Sequence, residues 1–262
     1  MRTKRNGSQA AHQSQELPEA GETLANVAYR QLRADIVSGV FEPSQPLRLE
    51  HLKQRYGLSF SPLREALNRL QTERLVVTVA LRGFSVAPVS VEEMWDVTET
   101  RILIECEALT RSIRDGDDDW EAAIVAAFHA LDLQVRRLAT TAGGHEADDL
   151  SALEIRHQEF HRSLINSCAS RRLLGLADQL YVETQRYRLP ALAGRLPDAL
   201  RDVALEHRQI MEAALVRDTA NAQELLAAHY RRTARSIETQ QFDATQIRKL
   251  PEIRGSVAKD AE

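Results

Sequence analysis

The chain has 262 residues, 43% of them hydrophobic and 27% charged, with a formal net charge of -4. This composition belongs to a soluble globular protein and allows one large domain or two of ordinary size. No run approaches the roughly 20 apolar residues of a membrane span, and the start MRTKRNGSQAAHQSQ lacks the apolar core of a signal peptide, so the expectation is a cytoplasmic protein with no membrane partner.

Residues 1–22 are polar and aperiodic and are expected to form a flexible arm. From Leu24 the pattern changes: Leu24, Val27, Ala28, Leu32 and Ile36 recur at helical spacing until Gly39. A short helix is predicted over Leu49–Tyr56, stopped by Gly57. A third begins after Ser59 and Ser61, whose hydroxyls suit a helix N-terminus, with Pro62 in its first turn and Leu63, Ala66, Leu67 and Leu70 as its apolar face. Leu75–Val79 and Phe84–Val86 then read as a hairpin with Arg82 and Gly83 at its tip.

Residues 24–88 carry nine basic against five acidic side chains, whereas the chain from Val89 onward carries 22 against 30. A basic head on an acidic body directs an anionic partner to the head. Helix, short helix, turn, helix and hairpin within one short segment is the order of a winged helix-turn-helix, in which one helix enters the major groove. On that reading Arg64, in the first turn of the third helix, reaches a base edge, and Arg69 lies on the same helix. Ser59 and Ser61 donate to phosphate, and Arg82 with Gly83 meets the minor groove or backbone. The competing reading is a small protein-interaction domain with ordinary surface arginines.

Beyond Val89 the periodicity predicts helices only, near 91–114, 118–140, 147–168, 171–187, 198–217 and 219–240, followed by a loosely held tail over 241–262. Cys106 and Cys168 fall within apolar helical patterns and read as small buried thiols. Of the eight histidines, His12, His51, His129 and His145 lie in the arm, in the head, off an apolar line and in a loop. The other four point inward: His157 and His161 with Leu153, Leu164 and Cys168, His207 with Val203, Ile210 and Ala214, and His229 with Ala222 and Leu226. Such residues pack into a core or, if they converge, hold a borderline transition metal such as zinc, with nickel or manganese as alternatives.

The run from Ile36 through Gly57, SFSPLREALNRLQTERLV and RGFSV resembles the N-terminal domain of GntR-family regulators. Pro62, Arg64, Glu65, Ala66, Leu67, Arg69, Leu70, Glu73, Leu75, Val76, Arg82, Gly83 and Val86 all fall in register. Phe60 stands where that family usually has a DNA-contacting arginine, and Arg74 where it usually has a turn glycine. The body resembles the FCD ligand-binding domain of the FadR subfamily through Arg101 and Glu105, EFHRSL, EHRQI and His229. Ser170 stands where such domains often have asparagine.

The resemblance implies a mainly α fold, with a winged helix-turn-helix over 23–89 and an all-α effector-binding and dimerisation domain over 90–240. It implies a homodimer on double-stranded operator DNA and a metal held by His161, His207 and His229, with His157 at the position of the family's aspartate. It also implies a small carboxylate effector anchored by Arg101. The alternative for Arg101 is an i, i+4 pair with Glu105 on a solvated face, worth about 0.2–0.5 kcal/mol. Two other functional readings are a metal-dependent hydrolase with an accessory DNA-binding module and an adaptor that only docks partners. Glu154 or Glu159 would be the nearest candidate base for the hydrolase.

Overall fold

The computed structural model describes residues 22–140, 147–192 and 196–241. The predicted arm, the tail beyond Gln241, His12 and His145 lie outside them. The described residues fall into two compact units, one of residues 22–36 with Val40–Ala87 and one of Val37–Gly39 with the residues from Pro88 onward.

The head begins with α1, Leu24–Val37, which buries Val27, Ala28, Leu32 and Ile36, while Leu24 stays half exposed at its first position. Thr23 caps it, its Oγ1 accepting from the Asn26 N–H at 3.2 Å. Helix α2, Leu49–Tyr56, buries Leu52 and ends at Gly57, whose φ of 68° is the left-handed cap that glycine adopts without strain. Helix α3, Phe60–Thr72, buries Leu63, Ala66, Leu67 and Leu70. Ser59 is its N-cap by backbone, yet its hydroxyl makes no capping bond, contrary to the expectation. Pro62 occupies the third helical position and has no N–H to offer, which removes one of the two usual partners of that hydroxyl. Arg74 adopts φ 57°, so the place where the resemblance expects glycine does require the left-handed region.

Strands β1, Val76–Val79, and β2, Gly83–Val86, pair antiparallel from Val76 with Val86 to Val79 with Gly83. Gly83 is therefore the first paired residue of β2 and not the hairpin tip. The tip is Ala80, Leu81 and Arg82, closed by the Arg82 N–H donating to the Val79 carbonyl at 3.0 Å.

The regular elements among the described residues of the body are all helices: α4 Val91–Asp115, α5 Asp118–Thr140, α6 Ala147–Ile165, α7 Arg171–Leu192, α8 Leu196–Leu215 and α9 Thr219–Gln241. Helix α5 packs on α6 and α8, α4 packs on α7 and α9, and α8 packs on α9. Leu109, Ile124, Phe160, Leu164, Ile210, Ala214 and Leu226 form the centre of the core. The boundaries of α6 and α7 differ most from the sequence reading, and α8 is shifted by two residues at each end. Helix α6 stops at Ile165, leaving Cys168 buried just past its end, and α7 runs five residues beyond Tyr187. Cys106 is half-buried instead of fully so, with its thiol pushed up to about 11 by burial and by Glu105. Val125 on α5 is exposed. No helix among the described residues is long and apolar enough to cross a membrane.

Candidate nucleic-acid interface and metal centre

In the head the candidate side chains sit on the surface of α3 and on the hairpin. Ser59, Ser61, Arg64, Arg82 and Gly83 are exposed. Arg64 shares the first two turns of α3 with Leu63, which is fully buried, so the backbone that carries the guanidinium is held by the core. Arg69 behaves differently from expectation. Its Nη1 donates to Asn26 Oδ1 at 2.7 Å and its guanidinium lies 4.0 Å from the centre of the Tyr29 ring. That arginine clasps α3 to α1, and periodicity along one helix could not reveal a partner more than forty residues away.

In the body, α6 supplies His157 and His161, α8 supplies His207 and α9 supplies His229, and all four are buried. One ligand atom of each lies within 4.8 Å of those of the others, a grouping drawn together by three helices. His161 Nε2 is 3.2 Å from both His157 Nε2 and His207 Nε2. Burial holds His157, His161 and His207 well below the ordinary histidine value, and neighbouring positive charge adds to the effect. His229 is lowered by burial as well, against the pull of Glu206. Four neutral rings in a dry space are the donor set a transition metal needs.

The partners of the outer ring nitrogens set the tautomers. His229 Nδ1–H donates to Glu206 Oε2 at 2.7 Å, which leaves its Nε2 lone pair free. The Tyr230 hydroxyl donates to Glu105 Oε2 at 2.5 Å, so its oxygen accepts from His161 Nδ1–H at 2.9 Å, and His161 Nε2 keeps its lone pair toward the other histidines. His207 Nδ1 has no partner although it is buried. An orphaned ring nitrogen costs free energy unless the other nitrogen is engaged in something stronger. His157 differs, because its Nδ1 accepts from Arg188 Nη1 at 2.6 Å and the hydrogen of the neutral ring then sits on Nε2. The residues fit a metal, with three rings ready to ligate and a fourth that must first move a proton.

Arg101 lies on α4 beside this cluster, with Nε donating to Glu105 Oε1 at 2.5 Å and Nη2 to the Tyr230 hydroxyl at 3.1 Å. The pair with Glu105 exists, but it is buried and not on a solvated face. Thr98, Arg101, Thr184, Arg188, Tyr230 and Thr233 line one indentation of the body, and a second reaches Arg101 and His161 from the side of Gln158. The residues missed by the sequence reading are Tyr230, Glu206, Tyr181 and Arg188, and Glu154, weighed there only as a hydrolase base, is the acceptor that two of them share. Tyr181 and Arg188 both bond Glu154 Oε1. Arg188 was hidden because the helix was expected to end one residue before it. Tyr230 and Glu206 each adjoin a candidate histidine, which was the available signal.

Models of two domains match this chain: the bacterial regulatory proteins of the gntR family over residues 24–86, and the FCD domain over 96–232. The chain belongs to the GntR family and carries an FCD domain. It is 38% identical over 208 residues to the HTH-type transcriptional regulator BphR of Paraburkholderia xenovorans, covering 79% of this chain and 82% of that protein. It is 36% identical over 203 residues to the HTH-type transcriptional repressor GlaR of Escherichia coli, covering 77% and 90%. Among solved structures, E. coli McbR/YncC aligns with a TM-score of 0.68 at 17% identity, over 84% of this chain and 99% of that one. A GntR regulator from Rhodococcus aligns with a TM-score of 0.65 at 19% identity, over 82% and 98%. These structures show the shared fold alone. This GntR regulator is thus a DNA-binding transcription regulator and not an enzyme, with the winged helix-turn-helix and all-helical body of its family.

Proposed function

We propose that the chain binds operator DNA as a homodimer through a head spanning 23–89, and that a body spanning 90–240 senses a small organic acid beside a bound transition metal. The observation that carries the sensing half is the convergence of four buried histidines next to a buried arginine at a lined indentation. His161, His207 and His229 are the ligands through Nε2, and His157 is the fourth once its proton moves. Zinc suits four neutral imidazoles, and nickel or manganese are the alternatives. A bound divalent ion supplies positive charge that draws a carboxylate toward the pocket.

Arg101 is the anchor for that carboxylate. Its position is fixed by Glu105, Tyr230 and Thr184, so little rotamer freedom remains to be lost on binding. An effector changes operator affinity to the extent that it binds the two arrangements of the dimer unequally. Dimerisation fits an operator of two half-sites, since a two-fold protein reads a near-palindrome. The hydrolase reading is not favoured: Glu154 is occupied by Arg188, Tyr181 and Gln185, and Glu159 is exposed and paired with Arg156. The test is elemental analysis of untagged protein, wild type and His207→Ala, after incubation with zinc, nickel and manganese. Stoichiometric metal in the wild type and its loss in the variant is the expected result. A metal-free wild type, or a variant that binds equally, returns the histidines to core packing. With the effector in hand, Arg101→Ala retains operator binding but loses the response.

A further inference from the structure

Phe60 is the first residue of α3, and 37% of its surface is exposed, whereas Leu63, Ala66, Leu67 and Leu70 of the same helix are fully buried. An apolar ring that keeps more than a third of its surface in water at the working end of a recognition helix leaves part of its burial to be gained on binding. The ring is positioned, since the Lys53 ammonium of α2 lies 5.0 Å from its centre. Around it stand donors: the Ser59 hydroxyl, which caps nothing, the exposed Ser61, and Arg64 one turn further along the same ridge.

Resting on the reading of α3 as the recognition helix, we infer that Phe60 reads a thymine, its ring packing on the C5-methyl group in the major groove. The methyl is the apolar feature that the major groove presents. A phenyl ring placed over guanine would strip water from O6 and N7 and return no hydrogen bond, which penalises the base that an arginine at this position would select. The helix advances about 5.4 Å per turn, and base pairs are stacked about 3.4 Å apart. The thymine therefore lies one or two base pairs from the base that Arg64 reaches. Lys53, held at the ring, brings its charge to the same stretch of strand and adds affinity without sequence information.

The experiment uses the full chain. Duplexes are enriched from a random pool at fixed salt, and the winning half-site is remade with deoxyuridine, guanine or 5-methylcytosine in place of each thymine. The expected result is a thymine within two base pairs of the position whose preference disappears in Arg64→Ala. Deoxyuridine there weakens wild-type binding about threefold to fivefold, as the loss of one buried methyl requires. Restoring the methyl on 5-methylcytosine recovers part of the loss. Phe60→Ala, checked to be folded at the assay temperature by its melting curve, binds thymine and deoxyuridine duplexes alike, and Phe60→Arg shifts the enriched base to guanine. Equal wild-type affinity for thymine and deoxyuridine at every half-site position overturns the assignment, as does discrimination that survives in Phe60→Ala. Failure to enrich any duplex overturns the recognition-helix reading itself.

Discussion

The head and the body place their working groups on opposite sides of their cores. In the head the apolar residues of α3 turn inward and the candidate DNA contacts Ser61, Arg64 and Arg82 turn to water, so function and folding use different atoms. In the body the working groups are the interior: Arg101, Glu105, His157, His161, His207 and His229 are buried beside the apolar core. Buried charge and imidazole must be paired or ligated to be tolerated at all. The lesson is that head variants will act on binding and body variants on binding and stability together.

Breaking the buried pair gives the largest effect. Glu105→Ala leaves the Arg101 guanidinium without its counter-charge and is expected to cost about 3–5 kcal/mol of body stability, measured by denaturant unfolding. A loss within the range of ordinary surface changes would mean that the pair is solvated after all. Metal removal comes next. At free metal one hundredfold above its dissociation constant the ion contributes about 2.7 kcal/mol, so chelation lowers the melting temperature of the wild type. The same treatment leaves His207→Ala unchanged, and equal shifts in both proteins would detach the stabilisation from these histidines.

The head variants sharpen the contrast from the other side. Arg64→Ala is expected to lose about 1–3 kcal/mol of specific operator binding with no change in melting temperature, compared by mobility shift and calorimetry on one preparation. Arg82→Ala weakens all sequences evenly and reduces the salt slope of log K by about one. Arg69→Ala has the smallest effect and crosses the comparison. Its clasp on Asn26 and Tyr29 predicts a loss of about 0.5–1 kcal/mol in the head's own stability. A pure loss of DNA affinity with stability intact would return Arg69 to the interface.

Much of this was legible in the chain itself. Helical spacing located α1, α2 and α3 because one face of each must be apolar to fold, and the same periodicity turned four histidines inward. The arginine and serine candidates on α3 were legible because exposed residues at a helix start need no distant partner to be recognised. Arg188 was not, since it follows the expected end of α7, and the partners of Arg69 lie on another helix.

The sequence by itself determined the helical periods and the winged order of elements, which are short-range consequences of backbone geometry, while the register of the motifs rested on resemblance to the family. Tertiary structure alone decided that residues from three helices bring their ring nitrogens within 4.8 Å, and that Arg101 and Glu105 form a buried pair instead of a solvated one. It also decided that His157 faces Arg188 while His161 and His229 are oriented by Tyr230 and Glu206. Period along a helix says which way a side chain points, but what it meets there depends on how the helices pack.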